Sequence, residues 1–208
     1  MKNTLLVLLI SMIYNLPLLA ADPILLNCIE TPEIYNLNTR PKNFNYSNNL
    51  RRKPGSPSAA FGEIIHIVGR VTDINCLPIQ NAAVSIWHAN ACGNDGNSQS
   101  DPHFAGSGRF ITNNLGYYSF ITVMPGKSGN RAPHVKFLVQ HPGFTEFTTQ
   151  MFFTDHNYSN CSDPILKDFL DNGLASLLIA PLSYNDQGIK TYTFNITLSG
   201  YSKFSEKK

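Results

Sequence analysis

From residue 61 onward the chain breaks into short runs of Ile, Val, Phe, Tyr and Thr, separated by Gly, Pro and Asn. Residues 63–71 form one run, closed by the turn-like Thr72-Asp73-Ile74-Asn75. Residues 82–87 alternate, with Val84 and Ile86 on one face and Ser85 and Trp87 on the other. Residues 116–123, 134–140 and 147–153 are further runs. In residues 190–198 the alternation puts Tyr192, Phe194, Ile196 and Leu198 on one side. Successive side chains on a strand point to opposite faces, so a period of two predicts strands with one buried face. Many such strands between turn signals predict an all-β fold, an antiparallel β-sandwich. One short helix is predicted over residues 164–170, with Asp163 as N-cap and Pro164 at the first helical position.

The first sixty residues read differently. Residues 5–13 are apolar but too short to span a bilayer, Lys2 precedes them, and small residues follow at Ala20-Ala21. Residues 1–20 therefore read as a secretory signal peptide, and the mature protein is expected to be exported, without a membrane span. Residues 21–60 are rich in Asn and Pro, a density that breaks helices and central strands alike. They predict an irregular arm that wraps the domain or a partner. The sandwich itself is expected over residues 61–200, followed by a charged tail at 201–208. The four cysteines, Cys28, Cys76, Cys92 and Cys161, permit two disulfides in an exported chain, with three pairings open. No two of them form a CxxC pair, which argues against a Cys-rich zinc site. The formal net charge of +2 gives no electrostatic case for nucleic acid.

Candidate chemistry comes from motifs in order. Val68-Gly-Arg-Val-Thr-Asp73 leads to Trp87-His-Ala-Asn-Ala-Cys-Gly93, then to Phe104-Ala-Gly-Ser-Gly-Arg-Phe110 and Gly116-Tyr-Tyr-Ser-Phe120. Met124-Pro-Gly126, Arg131-Ala-Pro-His-Val-Lys-Phe137 and Thr148-Thr-Gln-Met-Phe-Phe153 complete the series. The series resembles the intradiol ring-cleavage dioxygenases, of catechol and protocatechuate type. The resemblance implies a prealbumin-like β-sandwich and a ferric ion held by two tyrosines and two histidines. Phenolate and imidazole suit that hard cation. Carried over residue by residue, the first tyrosine falls at Asp95, the second at Ser128, the first histidine at His134 and the second at Lys136. His134 alone keeps the family's ligand. Arg131 and Gln150 match family positions near iron and substrate.

A lysine ammonium beside Fe(III) is repulsive, and a serine hydroxyl supplies no anionic oxygen at neutral pH. No bound iron is therefore expected. A rewired site of Asp95, His103 and His134 is the alternative, with His88 a further donor, and its metal need not be iron. The family also contains a precedent for ligand loss: the α chain of protocatechuate-type enzymes keeps the fold without the ligands and packs on a catalytic β chain. Three readings stand side by side. One is a non-catalytic, α-like subunit or a relic binding a small aromatic ligand, with a homologous catalytic subunit or a second copy as partner. Another is an active dioxygenase with an altered metal site, and the last is an exported interaction module. Trp87 and His134 also read as core residues, and Arg131 as either the anchor of an aromatic carboxylate or a loop arginine paired within the chain.

Overall fold

The computed structural model describes residues 28–35, 39–94 and 101–200. Its strands are β1 (Ile64–Thr72), β2 (Ala83–Trp87), β3 (Ser107–Ile111), β4 (Tyr117–Val123), β5 (His134–Gln140), β6 (Phe147–Phe153), β7 (Ile179–Ala180), β8 (Leu182–Tyr184), β9 (Lys190–Thr193) and β10 (Ile196–Thr197). The helices are α1 (Asn157–Asn160) and α2 (Pro164–Asp171), with two 3₁₀ turns at Thr154–His156 and Ala175–Leu177. Asp163 caps α2 as its sequence position implies: its side chain accepts from the backbone N–H groups of Ile165 and Leu166.

Two five-stranded sheets pack face to face. In the first, β1 is central. It pairs antiparallel with β4 from Ile64↔Val123 to Arg70↔Tyr117. Along its other edge run β9 and then β10, both parallel to it, and β8 pairs antiparallel with β9. The register does not slip between β9 and β10, since Ile65 faces Lys190 and Val71 faces Ile196 at the same offset. The line only opens where Phe194 turns its carbonyl inward to accept from the buried Tyr118 hydroxyl. Gly69 lies opposite, and a Cβ there would sit 1.8 Å from that carbonyl oxygen, so no side chain fits. The second sheet runs β3-β2-β5-β6-β7.

The fold is thus the β-sandwich expected, with a difference in detail: β1–β9, β1–β10 and β6–β7 are parallel, so both sheets are mixed. The strands β3, β7 and β8 carry no alternation to read. Ser-Gly-Arg-Phe-Ile and the two- and three-residue strands are set by the neighbours they pair with. Between the sheets lies the main core. Ile65, Ile67, Phe120, Tyr192, Phe194 and Ile196 come from one side, and Val84, Ile86, Val135, Phe137, Val139, Met151 and Phe153 from the other. All four of Tyr192, Phe194, Ile196 and Leu198 are in it.

The outer face of the second sheet is also covered. β6 is buried along its whole length and β5 up to its last residue. Ile34, Ala132, Phe152, Leu166, Ala175 and Leu178 form one small cluster there, and Phe44, Trp87 and Leu138 another. The chain before β1 supplies much of this cover. Cys28 is disulfide-bonded to Cys76, Thr31 N–H donates to Thr197 O, and Ile34 N–H donates to Thr148 O. Further on, Asn49 bridges Ile121, and Leu50 bonds Ile121 O and Ala105 N–H while its side chain sits in the main core with no exposure. One of the two disulfides that the composition permits is present, and Cys92 and Cys161 are unpaired and exposed.

Leu50 is therefore a core residue supplied by an irregular segment. Leu50→Ala is expected to cost about 2–5 kcal/mol, the range for a fully buried leucine. Urea denaturation followed by circular dichroism measures it. A loss under about 1 kcal/mol would mean the segment is not integral to the domain.

Candidate functional site

Of the site positions, Lys136, His134 and Gln150 fall on the outer face of the second sheet, where the register lines them up with Trp87. Trp87 on β2 faces Lys136 on β5, and Lys136 faces Gln150 on β6. One row along, His134 faces Phe152. All five side chains are buried, although three of them are polar or charged on what would ordinarily be a wet sheet face. Their hydrogen bonds decide how that burial is tolerated.

Lys136 Nζ donates to Thr39 Oγ1 at 2.6 Å, and Trp87 Nε1 donates to the same oxygen at 3.3 Å. Arg131, just before β5, donates through Nε to Asp163 Oδ2 at 2.8 Å and through Nη2 to Gln150 Oε1 at 2.6 Å. Asp163 is fully buried and accepts four donors: Arg131 Nε, Ala132 N–H, and the N–H groups of Ile165 and Leu166. The same carboxylate thus caps α2, fixes the turn into β5 and holds Arg131 over β6. Its sequence position marks Asp163 as a helix cap. Nothing in its own neighbourhood announces the contact to Arg131, 32 residues earlier.

His134 Nδ1 lies 2.8 Å from Ala132 O, and since a carbonyl only accepts, Nδ1 carries the proton. The ring leans against Phe152 with centroids 5.9 Å apart. Burial, with the cations Arg131 and Lys136 beside it, pushes the imidazole down to about 4. It is a neutral, packed histidine at physiological pH. Ser128 lies on the turn before Arg131, paired with it as an isolated bridge. Asp95 lies outside the described residues. Next to it, the loop 90–94 is tied by Asn90, whose side chain accepts from Cys92 and Asn94 N–H. Gly93 there has φ +82° and no space for a Cβ, which would meet Lys127 O at 1.8 Å.

These side chains do not suit a ferric ion. At the two described positions beside His134 the chain offers a hydroxyl and an ammonium, and the ammonium shares the buried sheet face with His134. The alternative donors lie elsewhere. His103 Nδ1 bonds Ser56 Oγ at 2.6 Å. His88 is buried between Ala89 O and Thr122 Oγ1, both at 2.7 Å. Among the described residues no group of three His, Cys, Asp or Glu side chains is placed to share a metal.

Beside Thr39 and Trp87 the structure opens into a cleft of about 610 Å³. Thr39, Lys53, Trp87, Asn90, Asp101 and Phe104 are among the residues lining it. Thr39 joins this cleft to the Lys136 row. The sequence reading did not single out Thr39, and an exposed threonine in an irregular arm gives no signal by itself.

Comparison with known proteins gives a consistent result. A family model described as Dioxygenase matches residues 40–200. A protein of Rickettsia typhi that carries the provisional name of a dioxygenase is 32% identical over 206 residues, 90% of this chain and 92% of its own. The protocatechuate 3,4-dioxygenase beta chain of Burkholderia cepacia is 31% identical over 165 residues, 72% of this chain and 63% of that one. Among solved structures, an intradiol ring-cleavage dioxygenase from Tetranychus urticae superposes with a TM-score of 0.67 at 19% identity, covering 85% of this chain and 98% of that one. At that identity the likeness is one of fold.

The state of His134 sets a pH dependence. Its folded pKa lies below the unfolded value of 6.5, so the unfolded chain binds the extra proton first as pH falls. Stability is fully present above pH 6.5 and is lost between there and about pH 4. The loss attributable to this group is about 3 kcal/mol. Urea denaturation at pH 7 and pH 4 should show His134→Gln losing less than the parent by roughly that amount. Equal losses in the two proteins would refute the assignment.

Proposed function

We propose that this chain, which belongs to the intradiol ring-cleavage dioxygenase family, is a member that does not hold the family's ferric ion and does not cleave rings itself. The observation that carries the reading is Lys136. It stands where the family motif has its second histidine, buried on one sheet face with His134 and bonded to Thr39. A fixed positive charge there opposes a metal cation, and no phenolate faces it from Ser128. The rest of the surroundings are kept: Arg131 and Gln150 remain in contact, on a scaffold that retains the fold. That combination suits a companion subunit, which needs the shape and not the metal. The likeness to a beta chain of a dioxygenase supports an assembly with a homologous catalytic chain or with a second copy.

We further propose export. The apolar residues 5–13, which lie outside the described residues, and the Cys28–Cys76 disulfide support it. No helix among the described residues is long and apolar enough to cross a membrane.

Protein purified from an oxidising compartment and supplied with ferric salt is expected to be colourless, with well under one iron per chain by elemental analysis. It is also expected to show no oxygen uptake with catechol. A coloured protein with stoichiometric iron would overturn the non-catalytic reading. The mature N-terminus, read by mass spectrometry, is expected close to Ala21. A chain that still begins at Met1 would remove the case for cleavage.

A further inference from the structure

Residues 28–35 form a strap that joins the two sheets along one side of the sandwich. Thr31 N–H donates to Thr197 O, and Thr31 Oγ1 accepts from Thr197 N–H, on β10 of the first sheet. Three residues on, the strap reaches β6 of the second sheet. There Ile34 N–H donates to Thr148 O, Thr148 Oγ1 donates to Ile34 O, and Thr149 Oγ1 donates to Pro32 O. β7 pairs with β6 only at Phe152 and Phe153, so at Thr148 it is the strap that covers the edge. The Ile34 side chain packs in one cluster with Phe152, the ring on which His134 leans. The strap is held thinly: its other large apolar side chains are exposed, Ile29 at 69% and Tyr35 at 76%. A segment with so few buried apolar contacts opens locally at low cost. One covalent bond counters this, Cys28–Cys76. Its fixed half sits on a turn tied by Asp73, whose buried side chain accepts from Asn75 and Leu77 N–H. Both cysteines are half-buried, within reach of a small thiol.

We propose that the Cys28–Cys76 bond is a redox-sensitive buckle. While it is closed the strap stays on β10 and β6. When it is reduced the strap lifts, and Phe152 and the His134 ring beside it are uncovered. The reductant is a dithiol. It gives two electrons and two protons to the bond, leaves Cys28 and Cys76 as thiols, and is itself oxidised to a cyclic disulfide. The bond works by limiting the conformations of a lifted strap, which shifts the balance toward the closed one. The chain further on stays in place, because Leu50 is fully buried in the main core. The inference stands apart from the reading that the chain holds no iron, since it concerns the cover of the site and not its donors.

The test uses the mature full-length chain with Cys92→Ser and Cys161→Ser, the two unpaired cysteines, so that dithiothreitol has one bond to act on. Reduction is expected to speed amide hydrogen exchange at Thr31 and Ile34 by about tenfold or more, while Ile67 and Phe120 in the main core keep the rate of the oxidised chain. Diethyl pyrocarbonate, which carbethoxylates neutral imidazole, is expected to label His134 faster in the reduced chain by a similar factor. Cys28→Ser should match the reduced chain and ignore dithiothreitol. Unchanged exchange at Thr31 and Ile34 would overturn the buckle, as would a Cys28→Ser variant that behaves like the oxidised chain. Equal acceleration at Ile67 and Phe120 would mean that the bond staples the whole domain, and it overturns the strap too. Faster strap exchange with unchanged labelling of His134 would overturn the uncovering of the site.

Discussion

The buried carboxylate of Asp163 is the interaction on which the outer half of this molecule depends. It accepts from two N–H groups at the start of α2, from Ala132 N–H at the entry to β5, and from Arg131. An ionised carboxylate without water needs this many donors, and removing one partner of such a buried pair costs about 3–5 kcal/mol. Through Arg131 the same carboxylate reaches Gln150, and so fixes which way that amide faces. The helix, the strand entry and the site row are thereby one connected unit.

That unit exists because the second sheet is buried on both faces. Its inner face packs into the main core in the ordinary manner of a sandwich. Its outer face is roofed by Ile34, Phe44, Leu166 and Leu178, held on segments that come from both ends of the chain. A polar row beneath such a roof must find partners inside the protein, and it does so with Thr39, Asp163 and the backbone of Ala132. The consequence for His134 is a neutral imidazole held between cations, and for Lys136 a charge kept on a dry sheet face.

The family scaffold is kept here, and the proposed loss of the family's metal concerns only a few side chains. The loop leading to residue 95 is held by the tight approach of Gly93 to Lys127 and by the bond from Gly126 N–H to Asn90 O. Where the family motif has its second tyrosine and second histidine, this chain carries Ser128 and Lys136. A fold is held by many apolar contacts spread over two sheets, whereas a metal site depends on a few donor atoms, so the second is lost far more easily than the first.

The sequence by itself determined the strands with clean alternation, the cap and start of α2, and the family. Each of these is written locally, in a period of two, in an Asp-Pro pair, or in motifs of fixed order. Tertiary structure alone decided that Thr39 joins Trp87 to Lys136, that Leu50 fills the core from an irregular segment, and that Cys28 pairs with Cys76. It alone decided that one amide nitrogen of Gln150 is left without an acceptor. Those contacts join residues far apart along the chain, and a local pattern carries no information about which distant group closes over it.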